Sequence, residues 1–442
     1  MRGLKLALAA GFELVARPAL AGGSLDALAK EASRLGPIAG PVVVVAAPLT
    51  SDEPGDVDGL PLHVAMLVAA ELGGAVTAHP HSATLAGARI AAGRARTLVF
   101  IRTSVAHGDV HVAADLYAGA VNVWDRVRNP GAALLRQTAA TAKIDAQTRA
   151  HLTPLALNRA PVQRYRLDEE DVVAAACGDV DGDGREELLL VSRQGVSLGH
   201  LQDGGFSAQR TVGWSDLGTR APVPLREPLC SAVAEEGSIL VGSTDYGGIA
   251  LSADLSKRDR LAGLPVWGGR PASCLLAQPS AGAFDGAPID CALGRDPKPT
   301  MAVPAPRFDA FAAADIVNAS GDVRRLVAVR EPSGRLKLRW GGETAGIPGL
   351  FGAALTVGDL DQDGSPELIT TTGDGDAIDV LAFTTAGASP ESRIHLAAPD
   401  PVRALAMCPP GDHGAPALAA ITAHEVWLLR PELATTATSS PR

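Results

Sequence analysis

The 442-residue chain has no apolar run of the roughly 18 residues that a membrane-spanning helix needs. It has no surplus of positive charge either. Its 39 Lys and Arg stand against 49 Asp and Glu, a net charge of −10, and a free nucleic-acid binder carries the opposite sign. Cysteine is sparse: of five, none precedes Cys177 and no two are spaced CxxC, which argues against the usual zinc sites. Cys274 and Cys291 could close a short loop. Phosphate loops, dinucleotide-binding fingerprints and HExxH motifs are missing. Aromatic residues make up only 4%, whereas Gly (48) and Pro (32) are plentiful, so turns are frequent and short strands are favoured over long helices. The 46% hydrophobic and 20% charged residues exclude a wholly disordered chain, and the length suits two to three domains.

Residues 1–21 begin with the basic Arg2 and Lys5, continue with an apolar stretch and end on Ala19-Leu20-Ala21, the pattern of an export signal cleaved before Gly22. A small α/β domain is expected over 24–150. Leu25 to Leu35 has helical spacing. Val42 to Val45 is a continuous β-branched run, expected as a buried strand. Pro61 opens a helix that Gly73-Gly74 stop, and Leu85 to Ala95 is a further, Ala-rich helix. Thr97 to Thr103 and the alternating Val110 to Tyr117 read as a hairpin around His107-Gly108-Asp109, and a helix from about Ala132 to Ala150 closes the domain. This order of elements resembles the N-terminal domains of TolB-like periplasmic proteins.

Two segments then repeat: GDVDGDGREEL at 178–188 and GDLDQDGSPEL at 358–368. Each lies between a small-residue strand and a hydrophobic one. Matched positions are 180 residues apart, four periods of ~45 residues, a propeller-blade length. Weaker copies bring the units to six, starting near 173, 228, 272, 311, 353 and 402. Cys177, Cys230, Cys274 and Cys408 fall near the end of the first strand of their units, which points to core packing. DxDxDGxxEL between two short strands resembles the FG-GAP/VCBS repeats of integrin-α-like β-propellers. The resemblance implies an all-β propeller over 151–434 of six blades, or of seven if residues 151–172 pair with the C-terminus to complete another. Residues 435–442 are expected to be a disordered tail.

Aspartates at loop positions 1, 3 and 5 gather carboxylates inside one tight turn, and Gly at position 6 permits the bend. A hard divalent cation takes six to eight oxygens. The first loop would supply Asp179, Asp181, Asp183, the carbonyl of Arg185, and Glu187. The second would supply Asp359, Asp361, Asp363, the carbonyl of Ser365, and Glu367. Two structural Ca2+ sites are expected, although position 9 in the family is more often Asp. An EF-hand needs a bidentate Glu at position 12, where Leu190 and Thr370 stand, so that alternative is rejected. A polar turn without metal is the other reading. The loop of Asp315, Asn318 and Ser320 lacks the carboxylates, and Gly373 to Asp376 reads as a hairpin turn.

Among catalytic candidates, Gly195 to Gly199 matches GxSxG but falls in an expected strand, whereas a nucleophile elbow needs a strand-to-helix turn. His79 and His81, and His107 and His111, have no carboxylate cluster beside them, and Trp124 to Arg128 is an ordinary charged turn. These features lead to an exported, non-enzymatic calcium-binding propeller that binds a protein or glycan partner, in the periplasm or outside the cell. The alternatives are a propeller enzyme acting on a polysaccharide and a cytoplasmic scaffold.

Overall fold

A computed structural model describes residues 23–38, 40–53, 58–93, 97–118, 134–218, 228–268, 275–280, 282–290, 302–383, 389–411 and 414–434. The expected export signal, the tail at 435–442, the turn at 124–128, and Cys274 and Cys291 lie outside the described residues.

The N-terminal lobe is a six-stranded mixed sheet with helices on both faces. Its elements are α1 (Ser24–Ala32), β1 (Val42–Ala46), β2 (Thr50–Ser51), α2 (Gly59–Leu72), β3 (Val76–Ala78), α3 (Leu85–Ala92), β4 (Thr97–Ala106), β5 (Asp109–Ala118), β6 (Leu134–Lys143) and α4 (Ala146–Arg149). The strand order is β3-β1-β4-β5-β6, with β2 on β4. β1 runs parallel to β3 and β4, and β4 to β6 are antiparallel. The valine run of β1 is explained by burial on both faces. Val42 and Val44 pack with Leu25, Leu28, Leu60 and Val64 of α1 and α2, and Val45 packs with Phe100, Tyr117 and Ala88 of α3.

One sequence expectation fails here. The helix expected from about Ala132 to Ala150 is not found among its described residues: 134–143 is β6, an edge strand paired along β5, and only Ala146–Arg149 is helical. LLRQTAATAK has no helical apolar stripe, and its conformation is set by pairing with β5. The Asp145 carboxylate caps α4 by accepting Thr148 N–H at 3.1 Å and also accepts Ser24 N–H at 2.7 Å, which ties α1 to α4.

From Val162 onward the regular elements among the described residues are strands, apart from one helical turn at Trp214–Leu217. They form four four-stranded antiparallel sheets and one eight-stranded sheet, the latter made of two four-stranded units joined by one residue pair, Gly205 with Arg166. The first strands of the units are Val172–Gly178, Cys230–Glu235, Leu264–Trp267, Ala310–Val317, Phe351–Gly358 and Ala404–Cys408. Each lies against the next, and the last returns to the first. The result is a closed ring of radial sheets, a β-propeller. The ring encloses a central channel of about 790 Å³ lined by small side chains such as Ala175, Ala232, Ala313 and Ala353.

Two features close the ring. Val162–Arg166 pairs antiparallel with Glu425–Leu429, so the start of the propeller chain is the fourth strand of the Ala404 unit. Residues 151–172 therefore do meet the C-terminus, but they complete that unit. A disulfide between Cys177 and Cys408, 231 residues apart, joins the first strands of the Val172 and Ala404 units. These cysteines are bonded, a correction to their reading as core packing alone, and Cys230 begins its strand. Cys230 is free, and burial pushes its thiol up to about 11.

The Leu264 unit also departs from expectation. Its first strand is Leu264–Trp267, and 275–280 is its second. A four-residue strand containing Pro265 gives almost no alternation to read, so the repeat start near 272 was one strand late.

Cross-linking positions so far apart in sequence contributes roughly 2–5 kcal/mol. Reduction with dithiothreitol, or the pair Cys177→Ser and Cys408→Ser, is expected to lower the thermal midpoint by several degrees without changing the far-ultraviolet spectrum at 20 °C. An unchanged midpoint would show that strand pairing alone closes the ring.

Candidate metal centre

Each acidic loop joins the first strand of its unit to the second: Val172–Gly178 to Glu187–Ser192, and Phe351–Gly358 to Glu367–Thr372. Packing leaves little room at the glycine that opens each motif. A Cβ on Gly178 would lie 2.7 Å from the Ala234 carbonyl oxygen of the neighbouring unit, and one on Gly358 would lie 2.6 Å from Cε of Met407. The aspartate after it folds the turn. Asp179 accepts the N–H groups of Gly182 (2.8 Å) and Gly184 (3.0 Å), and Asp359 accepts those of Asp363 and Gly364, both at 3.0 Å.

The structure brings together Asp179, Asp181 and Glu187 in one loop and Asp359, Asp361 and Glu367 in the other. In each set one oxygen per residue lies within 4.8 Å of the others. Asp183 and Asp363, expected as ligands, stand outside both sets: their Oδ1 atoms accept the N–H groups of Arg185 (2.8 Å) and Ser365 (2.6 Å). Arg185 and Ser365 thus sit at position 7 with their N–H groups directed back into the turn. Leu190 and Thr370 lie in strands, in keeping with rejection of the EF-hand.

Glu187 and Glu367 are each 1% exposed. In each, Oε2 accepts the N–H of the second loop residue, Val180 at 2.6 Å and Leu360 at 2.7 Å. The other oxygen of Glu187 has no hydrogen-bond partner. His200, missed in the sequence, faces it. Its Nδ1 donates to the Glu186 carbonyl at 3.1 Å, and its Nε2 lies 3.5 Å from Glu187 Oε1. A buried carboxylate oxygen without a donor costs several kcal/mol unless a cation or proton reaches it. A polar turn needs no such atom. A hard divalent cation does, and the all-oxygen donor set suits Ca2+.

Electrostatics agree. Burial, and next the neighbouring Asp361 and Asp359, raise Glu367 well above the ordinary carboxylate range. Burial, then Asp363 and Asp361, do the same to Asp359. Asp361 is raised to about 6 by burial and then by Asp363, and Glu187 is raised chiefly by burial.

The remaining candidates separate cleanly. Ser197 lies within the strand Gly195–Gln202 and donates to Glu169 at 2.9 Å, so GxSxG is not a nucleophile elbow. Asp315 sits in a strand and pairs with Arg325, outside the turn of Asn318, Ser320 and Asp322. That turn is held by Asn318 Oδ1, which accepts Ser320 and Asp322 N–H groups. Residues 373–376 form a hairpin turn. His79 meets the His81 carbonyl and His111 meets Thr141 Oγ1.

No family model matches this chain, and no curated protein matches it. Among solved structures, one of RRP9 WD40 repeats is 8% identical and covers 74% of this chain and 91% of that one, with a TM-score of 0.33. One of BBS1N in complex with ARL6DN is 12% identical and covers 75% and 89%, also at 0.33. One of Hsv2 from Kluyveromyces lactis is 10% identical and covers 57% and 71%, at 0.32. Likenesses this slight carry no argument, and the propeller rests on the ring of sheets itself.

The raised carboxylates set a pH dependence. Between about pH 4 and 7 the folded, metal-free chain binds more protons at Asp359, Asp361 and Glu367 than the unfolded chain, so their contribution to stability is lost as pH rises. In chelator, the thermal midpoint is expected to fall between pH 5 and 7, and Asp361→Asn is expected to flatten the fall. A midpoint that holds steady or climbs would contradict the placement of these groups.

Proposed function

We propose that this chain is an exported, six-bladed propeller of the FG-GAP/VCBS kind that binds two structural calcium ions and serves as a scaffold for another macromolecule. The observation that carries the metal reading is the duplicated carboxylate set with its buried glutamate, together with the unpartnered oxygen of Glu187. Asp179, Asp181 and Glu187 would hold one ion, and Asp359, Asp361 and Glu367 the other. Calcium would neutralise the cluster and stiffen the turn between two strands of a blade. The six first strands among the described residues support six blades. The Cys177–Cys408 bond supports an oxidising compartment, in keeping with residues 1–21 as an export signal. A rigid ring that presents loops on its faces suits binding of a large partner better than enclosure of a small one. No helix among the described residues is long and apolar enough to cross a membrane.

Chelator-treated protein is expected to take up two calcium ions in a calorimetric titration. At a hundredfold excess over Kd each site adds about 2.7 kcal/mol of stability. Asp181→Ala and Asp361→Ala are each expected to remove one site, and magnesium should substitute poorly because of its tighter octahedral shell. No calcium uptake would end the metal reading. An intact Met1 on protein from the native host would end the export reading.

A further inference from the structure

The two acidic loops differ at position 4. In the first loop it is Gly182, at φ +80°, and in the second it is Gln362, at φ +55°. A left-handed backbone suits glycine and disfavours glutamine. Something must therefore hold Gln362 there, and it is the N-terminal lobe. Gln362 is 4% exposed. Its Nε2 donates to the Ile144 carbonyl at 2.8 Å, and its Oε1 accepts from Arg149 Nε at 3.1 Å. Arg149, also 4% exposed, spends its other N–H groups on Glu53 Oε2 (2.6 Å), the Gly414 carbonyl (3.2 Å) and the Thr153 carbonyl (3.3 Å). One guanidinium thus joins the lobe to two propeller loops.

A second route runs beside it. Gly321 accepts Gly23 N–H at 2.9 Å. The 318–322 turn that carries Gly321 rests on the second acidic loop, where a Cβ on Gly364 would lie 2.9 Å from Asn318 Cα. The first loop has no such cover: Asp181, Gly182 and Asp183 are exposed, whereas Asp361 and Gln362 are buried.

We propose that the second acidic loop is the seat of the N-terminal lobe, with Gln362 as the docking residue, and that calcium in that loop holds the lobe in place. This rests on the calcium reading above. Gln362 stands between Asp361 and Asp363, so the turn that wraps the ion also presents its amide to Ile144 and Arg149. Without the ion the carboxylates repel one another and the turn relaxes, which withdraws Gln362 from two buried partners. The coupling is reciprocal: docking of the lobe raises the calcium affinity of the second loop, and the first loop stays independent.

The test is hydrogen–deuterium exchange of segment 144–153 in the full chain, in saturating calcium chloride and in EGTA, with calorimetric calcium stoichiometry measured in parallel. In the unaltered protein, calcium should slow exchange in this segment at least tenfold. Gln362→Gly removes both docking bonds and suits the left-handed backbone. It should still bind two calcium ions and should lose the calcium dependence of the segment. Gln362→Ala should lose it too, and Asp181→Ala should keep it. Two ions bound with equal exchange in calcium and EGTA would overturn the coupling while leaving the metal reading intact, as would a retained calcium dependence in Gln362→Gly. No calcium uptake would overturn both.

Discussion

A buried glutamate at the root of each acidic loop is the constraint on which this site depends. Glu187 and Glu367 open the second strand of their units and are closed off from water. Each fixes its loop by accepting the N–H of the second loop residue, so the turn cannot drift from the sheet. A carboxylate placed there without a full complement of donors is unstable as a charge. Two aspartates brought within 4.8 Å make it more so. The loop thus gathers carboxylates whose charge is disfavoured by burial and by one another, and this distinguishes it from the 318–322 turn. There, Asn318 completes the turn with hydrogen bonds and no carboxylate is buried.

The loops can be rigid because the ring beneath them is closed. Strand exchange between the chain ends and the Cys177–Cys408 bond act at the same seam. Just below the acidic turns, Gly178 lies close against the backbone of the neighbouring unit at Ala234, and Gly358 against the Met407 side chain. The N-terminal lobe then uses one part of that framework, the turns at 318–322 and 359–366 and the Gly414 carbonyl, and leaves the first acidic loop open. Duplicated loops have different neighbours, and Gln362 in place of Gly182 at position 4 is the difference that touches the lobe.

Much of this was legible in the residues. Three aspartates with a glycine at fixed spacing impose a tight turn whatever surrounds it, and the valine run of β1 could only be a strand covered on both sides. The units starting at 172, 230, 310, 351 and 404 lie within a few residues of their expected places. Features set by distant partners were not legible. β6 owes its conformation to β5, the short strand at 264–267 carries no period, and a bond between residues 231 apart leaves no local trace. At the site, the aspartates at positions 1 and 3 and the glutamate at position 9 do converge, and those at position 5 turn instead to backbone N–H groups. His200 could not be anticipated, because it faces Glu187 only through strand pairing. Gln362 left a signal that was open to reading: it stands where the first loop has Gly182, the easier residue in a left-handed turn.

The claim that the acidic loops are cation sites is tested most directly by anomalous diffraction from crystals of the full chain grown with calcium or terbium. The account predicts two peaks, each about 2.3–2.6 Å from carboxylate oxygens. One would lie among Asp179, Asp181 and Glu187, and the other among Asp359, Asp361 and Glu367, beneath the N-terminal lobe. Density without a peak at either loop, with the buried glutamates satisfied by protein or water donors alone, would contradict it.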